Sequence, residues 1–392
     1  MTLDTATFPE LGHLPKPEDI GHQLSDWSDS YFGRTREIVE NYGDVFIKQV
    51  VFMRRPVVFA PKLCFAFLES VAAAKGQEIT ITPLASEGKW VGAGSPLFTL
   101  EGNFSLLLEC ETRMLQRIGA ACVAAYNAYS MCAELPEAGF LAMEARHCAG
   151  TEMSDLMSYA ASVGGARAQR KAKAKGFIGG SCHATARYFD QKSGLGTMPH
   201  SLIGYAGSTV RAAEMFHETF PDDPITVLVD FFGQEITDSL AVCAAFPELA
   251  RSGQLSIRLD THGGRFCEGL DTAKSYETLE RHVPEAIRGY RNEAELKYMI
   301  GTGVSAACIW HVREKLDAAG YDRVPIVASS GFSPEKCRIM AVAKAPVDVV
   351  GTGSFIPTAW TETFATCDVV EFDGKPVVKQ GREFLLEALK DS

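Results

Sequence analysis

The chain has no Cys-x-x-Cys pair, no apolar run of the roughly 18 residues a membrane helix needs and no excess of positive charge, and each absence closes off a class of function. Its eleven cysteines, at 64, 110, 122, 132, 148, 182, 243, 267, 308, 337 and 367, fall mostly in apolar settings such as Ala121-Cys122-Val123 and Ala307-Cys308-Ile309. That is the pattern of buried reduced thiols rather than of zinc ligands or disulfides. A net charge of −11 leaves no basic face for a phosphate backbone, so no nucleic-acid partner is expected. An anionic small substrate would then be drawn by a local basic pocket rather than by the field of the whole molecule. The opening Met1-Thr2-Leu3-Asp4-Thr5 has neither a basic n-region nor an apolar h-region, which predicts a cytoplasmic protein with no membrane partner.

What is present is the composition of a globular protein, 46% hydrophobic and 22% charged, over 392 residues, enough for two domains each with its own core. The first 30 residues, rich in Pro, Asp and His, are expected to wrap the surface, and Asp29-Ser30-Tyr31-Phe32 then leads into a short helical pattern. Its aromatics and arginines suit either a ligand lid and interface anchor or a hydrophobic staple with a solvated face. Residues 50–103 are β-rich, with Val57-Val58-Phe59, Glu78–Thr82 and Pro96–Gly102 separated by turn residues. Glycines in Gly88–Gly94 stand at the corners of what reads as a small compact β-barrel. A long helical pattern follows from Ser105 to about Met131. At the far end, Asp373-Gly374 between two β-like runs predicts a hairpin that pairs back onto the first domain.

From about residue 138 the pattern changes to α/β. Six apolar runs, each closing in a polar or glycine cluster, alternate with helical stretches such as Ile236–Ala245 and Glu335–Ala343. Buried parallel strands with chemistry at their C-terminal ends are the plan of an α/β barrel, and six strands predict an incomplete one. The expected fold is therefore α/β, an incomplete TIM-like barrel at 136–355 beside a β-rich α+β domain at 1–135 that about 356–392 completes.

On that plan one mouth collects Arg146, His147, Ser181, His200, Asp230, Arg258, Asp260, Ser330, Gly331, Gly351, Thr352 and Gly353. Arginine and histidine suit phosphates, carboxylates suit ribose hydroxyls or Mg²⁺, and glycine turns offer backbone N–H groups to a phosphate. Taken singly, each has a plainer reading: Asp230 or Asp260 as a helix cap, Gly351 and Gly353 as turn glycines, His200 as an ordinary loop residue. The basic run Arg167, Arg170, Lys171, Lys173, Lys175 reads as the solvated face of a helix. It is their agreement across six strand ends that points to phosphate and ribose chemistry.

In the order Glu144-Ala145-Arg146-His147, Gly179-Gly180-Ser181, Gly196-Thr197-Met198-Pro199-His200-Ser201, Val229-Asp230, Arg258-Leu259-Asp260-Thr261, Ser329-Ser330-Gly331 and Gly351-Thr352-Gly353, the chain resembles the nicotinate phosphoribosyltransferases of the type II phosphoribosyltransferases. The resemblance covers most of the chain and implies formation of nicotinate mononucleotide and pyrophosphate from nicotinate and phosphoribosyl pyrophosphate. It also implies Mg²⁺, carried mainly by the substrate pyrophosphate, coupling to ATP as co-substrate through phosphorylation of His200, and a homodimer with shared active sites. Arg146 matches an arginine near the pyridine ring, and Tyr31 and Phe32 match aromatics reaching in from a neighbouring subunit. Asp230, Arg258, Asp260 and Thr261 match residues around the phosphoribosyl group, and Ser330, Gly331, Gly351, Thr352 and Gly353 its phosphate loops. Ser181 stands where nicotinamide-using relatives carry an aspartate, which would repel a carboxylate, so the acid is expected over the amide. Quinolinate or nicotinamide as substrate, or a non-catalytic homologue that binds a nucleotide or sugar phosphate, are the alternatives. The chain departs from the family pattern at Phe231-Phe232-Gly233, at Thr261-His262-Gly263-Gly264-Arg265, and in lacking the cysteines for the structural zinc of some archaeal relatives.

Overall fold

A computed structural model describes residues 24–390 apart from Thr197 and Thr363. The surface-wrapping expected of the N-terminus falls, for residues 1–23, outside the described residues. The chain divides into two compact units. The first comprises the described residues up to Tyr129, His147–Arg167 and the described residues from Ile356 on; the second comprises Ser130–Arg146 and Ala168–Phe355.

In the first unit, β1 (Phe46–Met53) lies between β5 (Pro96–Asn103) and β12 (Ala365–Phe372) in an antiparallel sheet whose edges are β3 (Ile79–Pro83) and β13 (Lys375–Pro376). A separate antiparallel pair joins β2 (Val57–Val58) to β4 (Trp90–Val91). The Asp373-Gly374 turn has φ of 45° and 75°, the two positive values a tight two-residue hairpin turn requires, so β12 and β13 form the expected hairpin. β12 pairs along β1 from Ile47↔Phe372 to Met53↔Ala365, and Val50, Phe52, Val370 and Leu385 form a shared core. No barrel closes here. The outer strand β13 is two residues long and ends in Pro376, which has no N–H for a further strand, and β3 likewise ends in Pro83.

Residues His147–Arg167, which the sequence pattern assigns to the barrel region, group with the first unit. The Lys62 backbone N–H donates to Tyr159 Oη (2.9 Å) and Arg167 Nη1 to the Gly88 carbonyl (2.9 Å), tying the helix Thr151–Ala172 to that unit. The long helix Phe104–Glu134 matches the periodicity of its apolar residues.

The second unit is built on six parallel strands: β6 (Gly139–Ala142), β7 (Gly176–Gly180), β8 (Ile225–Leu228), β9 (Leu255–Leu259), β10 (Ile326–Ala328) and β11 (Val349–Thr352). Their order is β7-β6-β11-β10-β9-β8, an open sheet with no closed barrel. These are the six runs the sequence marks as strands, and all of β6 and β10 is buried, as strands covered on both faces must be. Helices Glu235–Ala245 and Pro334–Val342 follow β8 and β10. Among the described residues no helix is long and apolar enough to cross a membrane.

Candidate active site

Because the six strands run parallel, their C-terminal ends share one edge of the sheet. Along it, in sheet order, come Ser181 after β7, Arg146 after β6, Thr352-Gly353 at β11, Ser330-Gly331 after β10, Asp260 after β9 and Asp230 after β8. Open parallel sheets bind ligands at this edge, where strand-end side chains and helix starts meet.

His200 is the first residue of the helix His200–Ala206, entered from an extended Pro199. Its Nε2 lies 3.2 Å from Asp230 Oδ2, with the imidazole 46% exposed and the carboxylate only 6%. An imidazole oriented by a carboxylate at one nitrogen presents the other as a base or nucleophile. Burial pushes the Asp230 carboxyl above its ordinary range, and the charge of Asp260 adds to this, while the hydrogen bond and charge of His200 oppose it. Asp230 Oδ1 is buried and has no hydrogen-bond partner among the described residues. Phe231 sets its ring 6.4 Å from that of His200, tilted by 39°, and Phe232 meets Phe231 edge-on at 4.9 Å. Gly204 leaves room for this, since a Cβ there would come within 3.1 Å of the Phe231 ring.

Arg258 reaches Asp260 Oδ2 through Nη2 (3.1 Å) and Ser329 Oγ through Nε (3.1 Å), cross-linking the ends of β9 and β10. Thr261, by contrast, is fully buried: its hydroxyl donates to Glu235 Oε1 at 2.8 Å, so its side chain belongs to the core and not to the mouth. Thr352 is also buried, with Oγ1 3.8 Å from Met131 Sδ, leaving only its backbone and Gly353 on the edge. Gly351 lets Met143 pack closely, since a Cβ there would sit 2.7 Å from Met143 Sδ and that side chain would have to shift. Ser330 and Gly331 have φ of 79° and 67°, a left-handed pair at the end of β10.

Ser181 is exposed; its N–H donates to the Ala142 carbonyl (2.9 Å), and Leu195 N–H returns to the Gly180 carbonyl (2.8 Å). Gly194 permits that return, since a Cβ would lie 2.7 Å from Ser181 O. Arg146 is exposed in the short 3₁₀ turn Ala145–His147. Of the Gly196–Ser201 motif, Thr197 lies outside the described residues. Tyr31 and Phe32 belong to the first unit, on the helix Ser30–Tyr42, with ring centroids 4.4 Å apart and Tyr31 58% exposed.

No family model matches the sequence, and no curated protein matches it either. Solved structures do match. Nicotinate-nucleotide pyrophosphorylase from Pyrococcus furiosus aligns over 92% of this chain and 79% of its own, at 23% identity and a TM-score of 0.65. Human nicotinic acid phosphoribosyltransferase aligns over 90% and 76%, at 16% identity and 0.61. Nicotinate-nucleotide pyrophosphorylase from Francisella tularensis aligns over 93% and 100%, at 14% identity and 0.51. The chain shares their fold.

Within this fold the structure adds three residues that sequence reasoning passed over as site elements. Glu235, fully buried at the start of its helix, receives Thr261, Arg265 Nη2 (2.6 Å) and the Glu268 N–H (3.0 Å). Arg265 also donates to the Asp230 carbonyl (2.9 Å), so this network fixes the backbone that carries Asp230. Lys336 donates from Nζ to the Ser330 carbonyl (2.7 Å). In sequence, Glu235 is an acidic first-turn residue of the ordinary kind. Arg265 falls within the 261–265 departure, the one signal that could have found it. Among the described residues no three His, Cys, Asp or Glu side chains converge to hold a metal.

Proposed function

We propose that the chain is a nicotinate phosphoribosyltransferase, joining nicotinate to phosphoribosyl pyrophosphate with release of pyrophosphate, in pyridine nucleotide and NAD biosynthesis. The observation that carries this is the alignment along one sheet edge of Asp230, Arg258–Asp260 and the left-handed Ser330-Gly331 turn, on neighbouring strands. Breaking the C1–pyrophosphate bond puts positive charge on the ribose ring, which the carboxylates of Asp230 and Asp260 would stabilise. The backbone of Gly331 and Gly353 suits close approach of a phosphate, with Gly351 one step behind Thr352 in β11. The pyridine nitrogen is itself the nucleophile, so no general base is needed and orientation is the main task. Arg146 is suited to the ring carboxylate, and Ser181, uncharged, tolerates it where an aspartate would not.

Mg²⁺ would neutralise the pyrophosphate, and Asp230 and Asp260 are the oxygen donors this edge offers it, with Asp230 Oδ1 lacking a partner. His200, exposed and oriented by Asp230, is the residue for ATP coupling through a phosphohistidine. A homodimer fits the helix Ser30–Tyr42, which buries none of its residues and presents Tyr31, Ile38 and Tyr42 at helical spacing on one face. In that assembly Tyr31 and Phe32 would serve the partner's pyridine site. A cytoplasmic enzyme is part of the same proposal.

The test is product formation from phosphoribosyl pyrophosphate and Mg²⁺ with nicotinate, nicotinamide or quinolinate in parallel, each with and without ATP. Nicotinate mononucleotide from nicotinate alone is the expected product. His200→Ala should lose the ATP stimulation and Asp260→Ala the turnover, both with unchanged circular dichroism. A folded protein that binds the sugar phosphate but yields no product from any of the three pyridines would make it a non-catalytic homologue, the reading that the exposed Phe231 and Phe232 beside His200 would then favour.

A further inference from the structure

Lys336 stands in the first turn of the helix Pro334–Val342 and is only 4% exposed. Lysines are rarely buried to this degree without a carboxylate partner, yet among the described residues Lys336 makes no ion pair. Its ammonium is instead satisfied by the Ser330 carbonyl at 2.7 Å and by the face of Phe332, whose centroid is 4.4 Å away. The Tyr298 ring stands further off, at 6.0 Å. The acceptor is unusual. Ser330 is a non-glycine residue at φ 79°, a backbone conformation that L side chains rarely adopt and that surrounding structure must hold in place. Two cations hold it here: Arg258 fixes Ser329 through Oγ, and Lys336 fixes Ser330 through its carbonyl.

We propose that Lys336 is a positioning residue for sugar-phosphate binding, holding the Ser330-Gly331 turn in its left-handed form through a charged hydrogen bond, and that loss of its proton releases that hold. This rests on the reading of the strand-end edge as a phosphoribosyl site. The groups facing the ammonium set where the proton is lost. Burial is the largest influence and brings Lys336 down to about 8, helped by Lys297 on the helix Glu293–Ile300. Cys308 on the helix Ala306–Ala318, Cys337 on its own helix and Asp260 beyond β9 act in the opposite direction. A neutral amine still donates a hydrogen bond but loses the charge-assisted part of it. A bound phosphate dianion beside the turn would favour the charged amine, so above about pH 8 binding should take up a proton and weaken as pH rises.

The test compares wild type, Lys336→Met and Lys336→Arg, all checked for native circular dichroism. KM and kcat for phosphoribosyl pyrophosphate are measured from about pH 7 to about pH 9.5, alongside calorimetric binding of ribose 5-phosphate. That probe stays dianionic throughout, its second pKa lying at about 6. Wild type should show KM and Kd rising about tenfold across this range, with kcat little changed. Lys336→Met should bind weakly already at the low end with no pH limb. Lys336→Arg, charged at every pH tested, should lose the limb as well. A limb that persists in Lys336→Met, or a Lys336→Met KM equal to that of wild type, overturns the inference while leaving the transferase reading intact. Wild type with no transferase activity, yet with a Lys336-dependent limb in ribose 5-phosphate binding, removes that reading and supports the role of Lys336.

Discussion

Asp230 is held where a carboxylate is costly. Its side chain is 6% exposed, one oxygen has no partner among the described residues, and the other has the His200 imidazole at 3.2 Å. Burial raises its folded pKa, so the folded state binds the proton more readily than the unfolded chain does. The cost of burial is therefore fully present above the folded pKa and is relieved as pH falls through it toward the unfolded value. Asp230→Asn, which keeps a polar group of the same shape but removes the buried charge, should stabilise the protein at neutral pH by up to about 1 kcal/mol, the difference between burying a charged and a neutral polar group without a partner. Thermal melts against pH should show the gain shrinking in acid, and turnover should fall. A variant less stable than wild type at pH 7 would mean that the His200 pairing outweighs the burial cost.

Among the elements, the helices Phe104–Glu134 and Thr151–Ala172 approach closely at Gly164. An ideal Cβ on Gly164 would lie 2.3 Å from the Ala125 carbonyl oxygen and 2.8 Å from both Ala128 Cβ and Tyr129 N. Helix propensity alone would favour alanine at this interior position by about 1 kcal/mol. The obstacle is backbone, which cannot step aside as a flexible side chain can, so overpacking wins. Gly164→Ala should destabilise by about 1–3 kcal/mol net, read as a lower urea midpoint at unchanged slope. A midpoint equal to or above that of wild type would show that the two helices part at no cost.

At the scale of the molecule, the first unit depends on both ends of the chain. β1 sits between β5 and β12, and Val370 and Leu385 meet Val50 and Phe52 in one core. A chain ending at Phe355 would open an edge on β1 and uncover that core, and exposed edges recruit other strands. Hydrogen exchange should then show the N–H groups of 46–53 that face β12 unprotected and the truncated protein aggregating, while the strands of the second unit, all of which precede residue 356, keep their protection. Protection of those β12-facing N–H groups that survives truncation would show that β12 is dispensable.

How much of this was legible in the sequence depends on how local the cause is. The six parallel strands, the Asp373-Gly374 hairpin and the strand-end positions of Asp230, Asp260 and Ser330-Gly331 follow from apolar runs closed by polar or glycine residues, patterns that neighbouring residues determine by themselves. That Thr261 and Thr352 turn into the core was not legible, because the direction of a strand-end side chain depends on what lies behind it: Glu235 in one case, Met131 in the other. The antiparallel sheet in place of a small barrel was likewise hidden, since β1 takes a partner from the far end of the sequence. Glu235, Arg265 and Lys336 are ordinary helix or loop residues until tertiary structure brings them against strand ends distant in the chain, Glu235 and Lys336 buried and Arg265 half-buried. Burial and the loss of water strengthen the hydrogen bonds that their charges make there, which composition and spacing do not encode.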